Sequence, residues 1–152
     1  MRLDLGCGDR FKKPGYVGVD VCDWSNKYPK DEFIYGVIPH ILSTFADSSI
    51  EEVYASHFIE HISQDKVIET FNEIYRILKV GGLFEIYVPP TTGRGAFCDP
   101  THLSFYNDMS WRYYDMTWHK ELSQSYGINC DFKIIENKII SEFNLHAILQ
   151  KR

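Results

Sequence analysis

Leu3-Asp4-Leu5-Gly6-Cys7-Gly8 and, a short polar interval later, Gly18-Val19-Asp20-Val21 decide how this chain is read. The first stretch is a β-prone run that stops on two glycines. Without a Cβ, glycine lets the backbone take dihedrals closed to other residues and lie close against a ligand. The second stretch belongs to an apolar strand over residues 16–21. It ends at Asp20, whose carboxylate can accept from both hydroxyls of a ribose in contacts worth about 1.5–3 kcal/mol. A Gly-x-Gly turn alone is more often just a turn, and a strand-end acid is as often merely solvated. In consecutive strands the two features support one another and point to a nucleoside.

The pattern disfavours a nucleoside carrying a pyrophosphate. A dinucleotide site wants Gly-x-Gly-x-x-Gly with a helix behind it. Here Phe11 stands at the third glycine position, and Pro14-Gly15 end any helix over residues 9–15. No P-loop pattern occurs. A ligand without phosphates fits better.

Outward from this pair, residues 33–37 and 52–56 read as the third and fourth strands, the latter running into His57. Val67, Ile68, Phe71, Ile74, Tyr75 and Leu78 recur at helical spacing, which predicts a helix over residues 65–79 with one buried stripe. Gly81-Gly82 ends it, residues 83–88 form a fifth strand, and Pro89-Pro90 bar its continuation. A long loop over 91–107 precedes a helix expected at 108–126. Residues 132–140 and 143–150 close the chain as two strands with a turn near Ser141-Glu142. Strands alternating with helix-length segments predict an α/β fold, a mainly parallel sheet finished by an antiparallel hairpin. Ligands of such sheets sit outside the carboxyl ends of the strands. Residues 6–8, Asp20, Ser56-His57 and residues 89–91 are therefore expected to converge.

The 152 residues allow one domain, spanning 1–152. A net charge of −5 without any basic run argues against a nucleic-acid partner. No apolar stretch approaches the ~20 residues of a membrane span, and the start of the chain lacks a signal-peptide layout, so a cytoplasmic location is expected. Cys7, Cys22, Cys98 and Cys130 are scattered, with no close pair to hold zinc, and are expected to be reduced thiols. Oligomeric state is not written in the sequence.

These stretches, with the segments around residues 45–61 and 73–82, resemble class I S-adenosylmethionine-dependent methyltransferases over nearly the whole chain. The likeness is greatest to a small branch with a shortened first helix and a soft link to glycan chemistry. The resemblance implies a doubly wound, mainly parallel seven-stranded sheet of order 3-2-1-4-5-7-6. It implies S-adenosylmethionine as cofactor and an oxygen or nitrogen of a small molecule or glycan as acceptor. Gly6, Cys7 and Gly8 would pass the methionine moiety, and Asp4 would orient the loop or the cofactor amine. Asp20, with Val21 beside it, would hold the ribose, and Ser56 and His57 would flank the sulfonium. Gly36-Val37-Ile38 lacks the acid many relatives carry after the third strand, so adenine would rest on apolar groups, Val37 among them.

Methyl transfer is an in-line displacement that needs alignment, exclusion of water and, for some acceptors, a base. His102 is the favoured base, with Asp99 as its orienter and His57 as the alternative; each histidine can equally be a satisfied loop or cap residue. His57, Glu60 and His61 share a helical spacing that could hold a divalent metal, but such residues more often pack or cap, and no metal is assigned. Trp111, Tyr113, Tyr114 and Trp118 read as a wall over the acceptor, or as core cover. Two other function classes stand beside the enzyme: a nucleoside-binding scaffold without turnover, and a nicotinamide oxidoreductase, which Phe11 disfavours.

Overall fold

Burial in alternate positions builds the sheet. Gly82, Phe84, Ile86 and Val88 are buried, while Leu83, Glu85 and Tyr87 between them are half-buried, so the strand divides a closed face from a more open one. The computed structural model describes residues 1–9 and 12–152. Among them are β1 (Arg2–Leu5), β2 (Val17–Asp20), β3 (Phe33–Tyr35), β4 (Ile50–Ser56), β5 (Leu78–Val88), β6 (Phe132–Ser141) and β7 (Asn144–Lys151). They form one seven-stranded sheet of order β3-β2-β1-β4-β5-β7-β6. The first five strands pair in parallel, and β7 pairs antiparallel with both β5 and β6. This is the expected order and the expected terminal hairpin.

The closed face packs on helix α1 (Gln64–Ile77), whose Phe71, Ile74 and Ile77 join Leu3, Leu5, Val53 and Phe84 in the core. Phe71 is its centre: its ring stacks on Tyr114 at 4.0 Å and meets Phe84 edge-on at 5.5 Å. The open face follows from register. Asp4 lies opposite Tyr54 and Tyr54 opposite Glu85; Ser56 lies opposite Tyr87 and Tyr87 opposite His146. Lys13 reaches over this face to Glu85 at 2.5 Å and to the Tyr54 ring at 4.1 Å. Among the described residues no helix joins β1 to β2 or β2 to β3.

Three local expectations change. Helix α1 ends at Ile77, and β5 begins at Leu78 because Leu78 pairs with Ile50 before the chain bends at Gly81, whose φ is 79°. The stretch 91–107 is more ordered than a loop. It contains the short α2 (Gly95–Cys98) and returns to the sheet through a parallel bridge between Pro90 and Tyr106. The helix expected over 108–126 is broken into a 3-10 segment, Ser110–Tyr114, and α3 (Met116–Ser125). Asp115 makes the break by capping α3, accepting from the Thr117 amide at 3.0 Å and its hydroxyl at 2.7 Å. No helix is long and apolar enough to cross a membrane among the described residues.

Candidate functional site

The glycine turn sits at the carboxyl end of β1. Gly6 and Gly8 have φ of 68° and 61°, in the left-handed region that other residues enter only under strain. Gly6 is also sterically required: a Cβ there would lie 2.2 Å from Cδ2 of Phe58. The amide of Gly8 donates to Oδ2 of Asp20 at 2.9 Å, and the Tyr28 hydroxyl donates to the Gly8 carbonyl at 3.0 Å. Oδ1 of Asp20 accepts from the Cys22 amide at 2.8 Å. Asp20 thus ties the end of β2 to the turn after β1. One bond to each oxygen leaves a carboxylate lone pairs for further donors. Phe11, the sequence's argument against a dinucleotide, lies outside the described residues.

Asp4 is buried, and its Oδ2 accepts from the Lys13 amide at 2.6 Å. Burial pushes its pKa up to about 6, against the lowering pull of the Lys13 amide and of the Lys12 and Lys13 charges. Asp4 lines a cavity of about 420 Å³ together with Gly6, Cys7, Gly8, Tyr54, Ser56 and His57. Burial, with Asp20 and Asp4 nearby, pushes the Cys7 thiol up to about 12, so it is protonated and inert. A neighbouring cavity of about 530 Å³ is lined by Val21, Val37, Ile38, Phe58, His61 and Leu103, among others. Phe58, pressed on Gly6, stands between the two. Val21 and Val37 are 57% and 56% exposed, apolar surface left open beside the strand ends. Of the residues singled out in the sequence, Asp4, Gly6, Cys7, Gly8, Ser56 and His57 share one cavity, and Val21 and Val37 share the next. Asp20 lines neither and is joined to the first through Gly8.

The histidines separate. His57 lines the cavity beside Ser56, with its Nε2 3.0 Å from Oδ1 of Asn144 and its Nδ1 3.3 Å from Oε1 of Glu60. Glu60 holds its pKa above the ordinary value, despite the opposing effect of burial. His102 lines neither cavity at the strand ends. Its Nδ1 lies 2.9 Å from the Ala96 carbonyl, which can only accept, so Nδ1 carries the proton and Nε2 the lone pair. The pairing expected between His102 and Asp99 is absent as a hydrogen bond: Nε2 and Oδ2 are 3.9 Å apart. Asp99 instead accepts from the Thr101 amide and hydroxyl, at 2.8 and 2.6 Å. The Ala96 carbonyl therefore orients His102, and Asp99 shapes its own turn.

The aromatic wall divides as well. Trp111 and Tyr114 are core residues stacked with Tyr106 and Phe71, while Trp118 is exposed beneath the Arg112 guanidinium at 4.1 Å. Tyr113 and Tyr114 help to line a separate cavity of about 370 Å³ that shares no lining residue with the two at the strand ends. Tyr54, Phe58 and Tyr28 were not singled out in the sequence, yet they shape the site. Tyr54 was legible in principle, since it occupies the open face two residues before Ser56. The contacts of Phe58 and Tyr28 are long-range and carry no local signal.

The family model described as a methyltransferase domain matches residues 3–86. No curated protein matches the chain in sequence. Among solved structures, an S-adenosylmethionine-dependent methyltransferase from Archaeoglobus fulgidus superposes with a TM-score of 0.69 at 19% identity, covering 99% of this chain and 85% of that one. The 1,6-didemethyltoxoflavin-N1-methyltransferase of Burkholderia thailandensis, solved with bound 1,6-didemethyltoxoflavin and S-adenosylhomocysteine, gives 0.65 at 15% identity, covering 99% and 70%. A further S-adenosylmethionine-dependent methyltransferase, from Aquifex aeolicus, gives 0.62 at 14% identity, covering 99% and 81%. At these identities the likeness is one of fold.

Proposed function

This chain belongs to the methyltransferase domain family, and on that premise we propose that it moves the methyl group of S-adenosylmethionine to an oxygen or nitrogen of a small molecule or glycan. The observation that carries the reading is the convergence at the ends of β1, β2 and β4. Two left-handed glycines, a buried carboxylate and a strand-end acid hydrogen-bonded to the turn meet beside open apolar surface. Bound there, the cofactor supplies an electrophilic methyl on a sulfonium.

The residues present suit that group. Among the described residues nothing lies within 4 Å of a Cβ built on Gly8, so the turn leaves room along its backbone. Asp4, a buried carboxyl with a raised pKa, is suited to an ammonium group, whose charge would restore its ionised form. Asp20 keeps lone pairs for ribose hydroxyls, and Val21 and Val37 offer the apolar contact adenine needs. We assign the proton-accepting role to His57, which lines the cavity, and not to His102, which does not. Its ring nitrogens face Oδ1 of Asn144 and Oε1 of Glu60, which fix its orientation, and one of these contacts has to open before the ring takes a proton from an acceptor.

The exposed state of Val21 and Val37 favours one second reading, a binding domain without turnover. Calorimetric titration with S-adenosylmethionine, S-adenosylhomocysteine and NAD tests the cofactor; micromolar binding of the first two and none of NAD is expected. Tighter binding of NAD overturns the reading. Release of S-adenosylhomocysteine across a panel of hydroxyl and amine acceptors, sugars included, separates enzyme from binding domain.

A further inference from the structure

Glu60 is 1% exposed, and among the described residues neither of its carboxylate oxygens has a hydrogen-bond partner. A buried carboxyl whose oxygens make no hydrogen bond is unfavourable, and a bound water or ion is among the groups that satisfy one in a native fold. The nearest cationic candidate, Nδ1 of His57, stands at 3.3 Å without completing a hydrogen bond. Two other imidazoles surround the carboxylate: one donor atom each from Glu60, His61 and His102 all lie within 4.8 Å of one another.

Both imidazoles are preset in the same sense. Nδ1 of His102 faces the Ala96 carbonyl at 2.9 Å, and Nδ1 of His61 faces the Thr101 carbonyl at 3.2 Å. Nδ1 of His61 is also 3.1 Å from the Thr101 hydroxyl, whose proton is engaged by Asp99 at 2.6 Å. Carbonyls only accept, so each Nδ1 donates, and in the neutral imidazole each Nε2 keeps the lone pair. A carbonyl behind the distal nitrogen is the arrangement that orients metal-binding histidines. The backbone fixes the assembly too, since the Glu60 carbonyl accepts from the Leu103 and Ser104 amides at 2.7 and 3.0 Å. The loop bearing His102 is thereby fastened to the residue bearing the carboxylate.

We propose that Glu60, His61 and His102 form a binding site for a first-row divalent cation of the zinc type. Two nitrogens and one oxygen favour such an ion over magnesium or calcium, which take oxygen ligands. Ligand atoms on a zinc ion at ~2.1 Å sit roughly 3.4 Å apart, so the present separations of up to 4.8 Å close by at most about 1.4 Å on binding. Three protein donors leave a coordination position for water or for a ligand entering from the cavity that His61 lines. The set differs from the helical trio His57, Glu60 and His61 in drawing its third ligand from the loop after β5.

The test uses chelator-treated protein titrated with Zn²⁺ by calorimetry and with Co²⁺ by visible absorption. It is run in the full chain and in a Cys22→Ser/Cys98→Ser variant that removes the two exposed thiols. One equivalent is expected to bind in both, with a tetrahedral or five-coordinate Co²⁺ spectrum and a raised melting temperature. His61→Ala, His102→Ala and Glu60→Gln are each expected to weaken Zn²⁺ binding at least 100-fold. His61→Ala, at an exposed position, guards against loss through misfolding. Binding that disappears with the two cysteines, or that survives unchanged in a His61→Ala/His102→Ala double variant, overturns the site.

Discussion

Replacing Asp4 by asparagine should make the cofactor-free protein more stable at neutral pH. In the folded chain burial moves the Asp4 pKa from 3.8 to about 6. That difference of about two units corresponds to about 3 kcal/mol at 1.36 kcal/mol per unit. The sign follows from which state holds the proton. Between about pH 4 and pH 6 the folded chain keeps the proton that the unfolded chain has lost. Stability from this group is therefore fully present below about pH 4 and is lost as pH rises through about 6. The substituted amide keeps an oxygen to accept from the Lys13 amide and carries no charge to desolvate. Urea denaturation at pH 4 and pH 7.5 should show the variant and the parent alike at the lower pH. At pH 7.5 the variant should gain up to about 3 kcal/mol. An Asp4→Asn protein less stable than the parent at pH 7.5, or a parent whose pH slope survives the substitution, would refute the assignment. If the cofactor amine docks at Asp4, parent affinity should also rise between pH 5 and 7, and the variant's should stay flat.

Asp20→Ala removes the acceptor of the Gly8 and Cys22 amides along with the proposed ribose contact. Calorimetry should show S-adenosylhomocysteine affinity falling about 10- to 100-fold, equivalent to roughly 1.5–3 kcal/mol; unchanged affinity would remove Asp20 from the site. His57→Ala should slow methyl transfer by about 10²–10⁴-fold while leaving S-adenosylhomocysteine affinity within a few-fold. An equal loss in both quantities would make His57 a binding residue. Phe71→Ala hollows the contact among α1, β5 and Tyr114 and should cost about 3–5 kcal/mol in urea denaturation. A cost below about 1 kcal/mol would contradict its place at the core's centre.

The fold is legible wherever a local period reports burial. The second strand, the body of the fourth and the Phe71 and Ile74 positions of the helix announce themselves because one face of each element must be apolar, whereas Ile77 replaces the expected Leu78 at the end of the buried stripe. The break at Asp115 is hidden, although Asp115-x-Thr117 is a capping pattern, because the aromatic run on both sides of it reads as one continuous helix. The Arg152 guanidinium that meets Asp115 at 3.0 Å comes from the far end of the chain, where no window reaches. At the site, the glycine turn and Asp20 can be read because their chemistry depends on backbone geometry at strand ends. The histidines cannot be ranked, because what distinguishes them is which carbonyl faces Nδ1. For His102 that carbonyl belongs to Ala96, inside a helix of four residues, too short to show a period.

The last strand in chain order is not the last in the sheet. β7 lies between β5 and β6, and its Asn144 meets the His57 ring at 3.0 Å. During vectorial synthesis, β1 through β5 can therefore emerge and pair while β5 still shows a bare hydrogen-bonding edge. That edge is capped only once residues 144–151 have cleared the ribosome. Until then His57 lacks its Asn144 partner, so a nascent or truncated chain has the glycine turn and Asp20 but a His57 ring held on one side only. Chaperone dependence should accordingly peak late in translation, when the parallel strands are assembled and their apolar flank still awaits the hairpin.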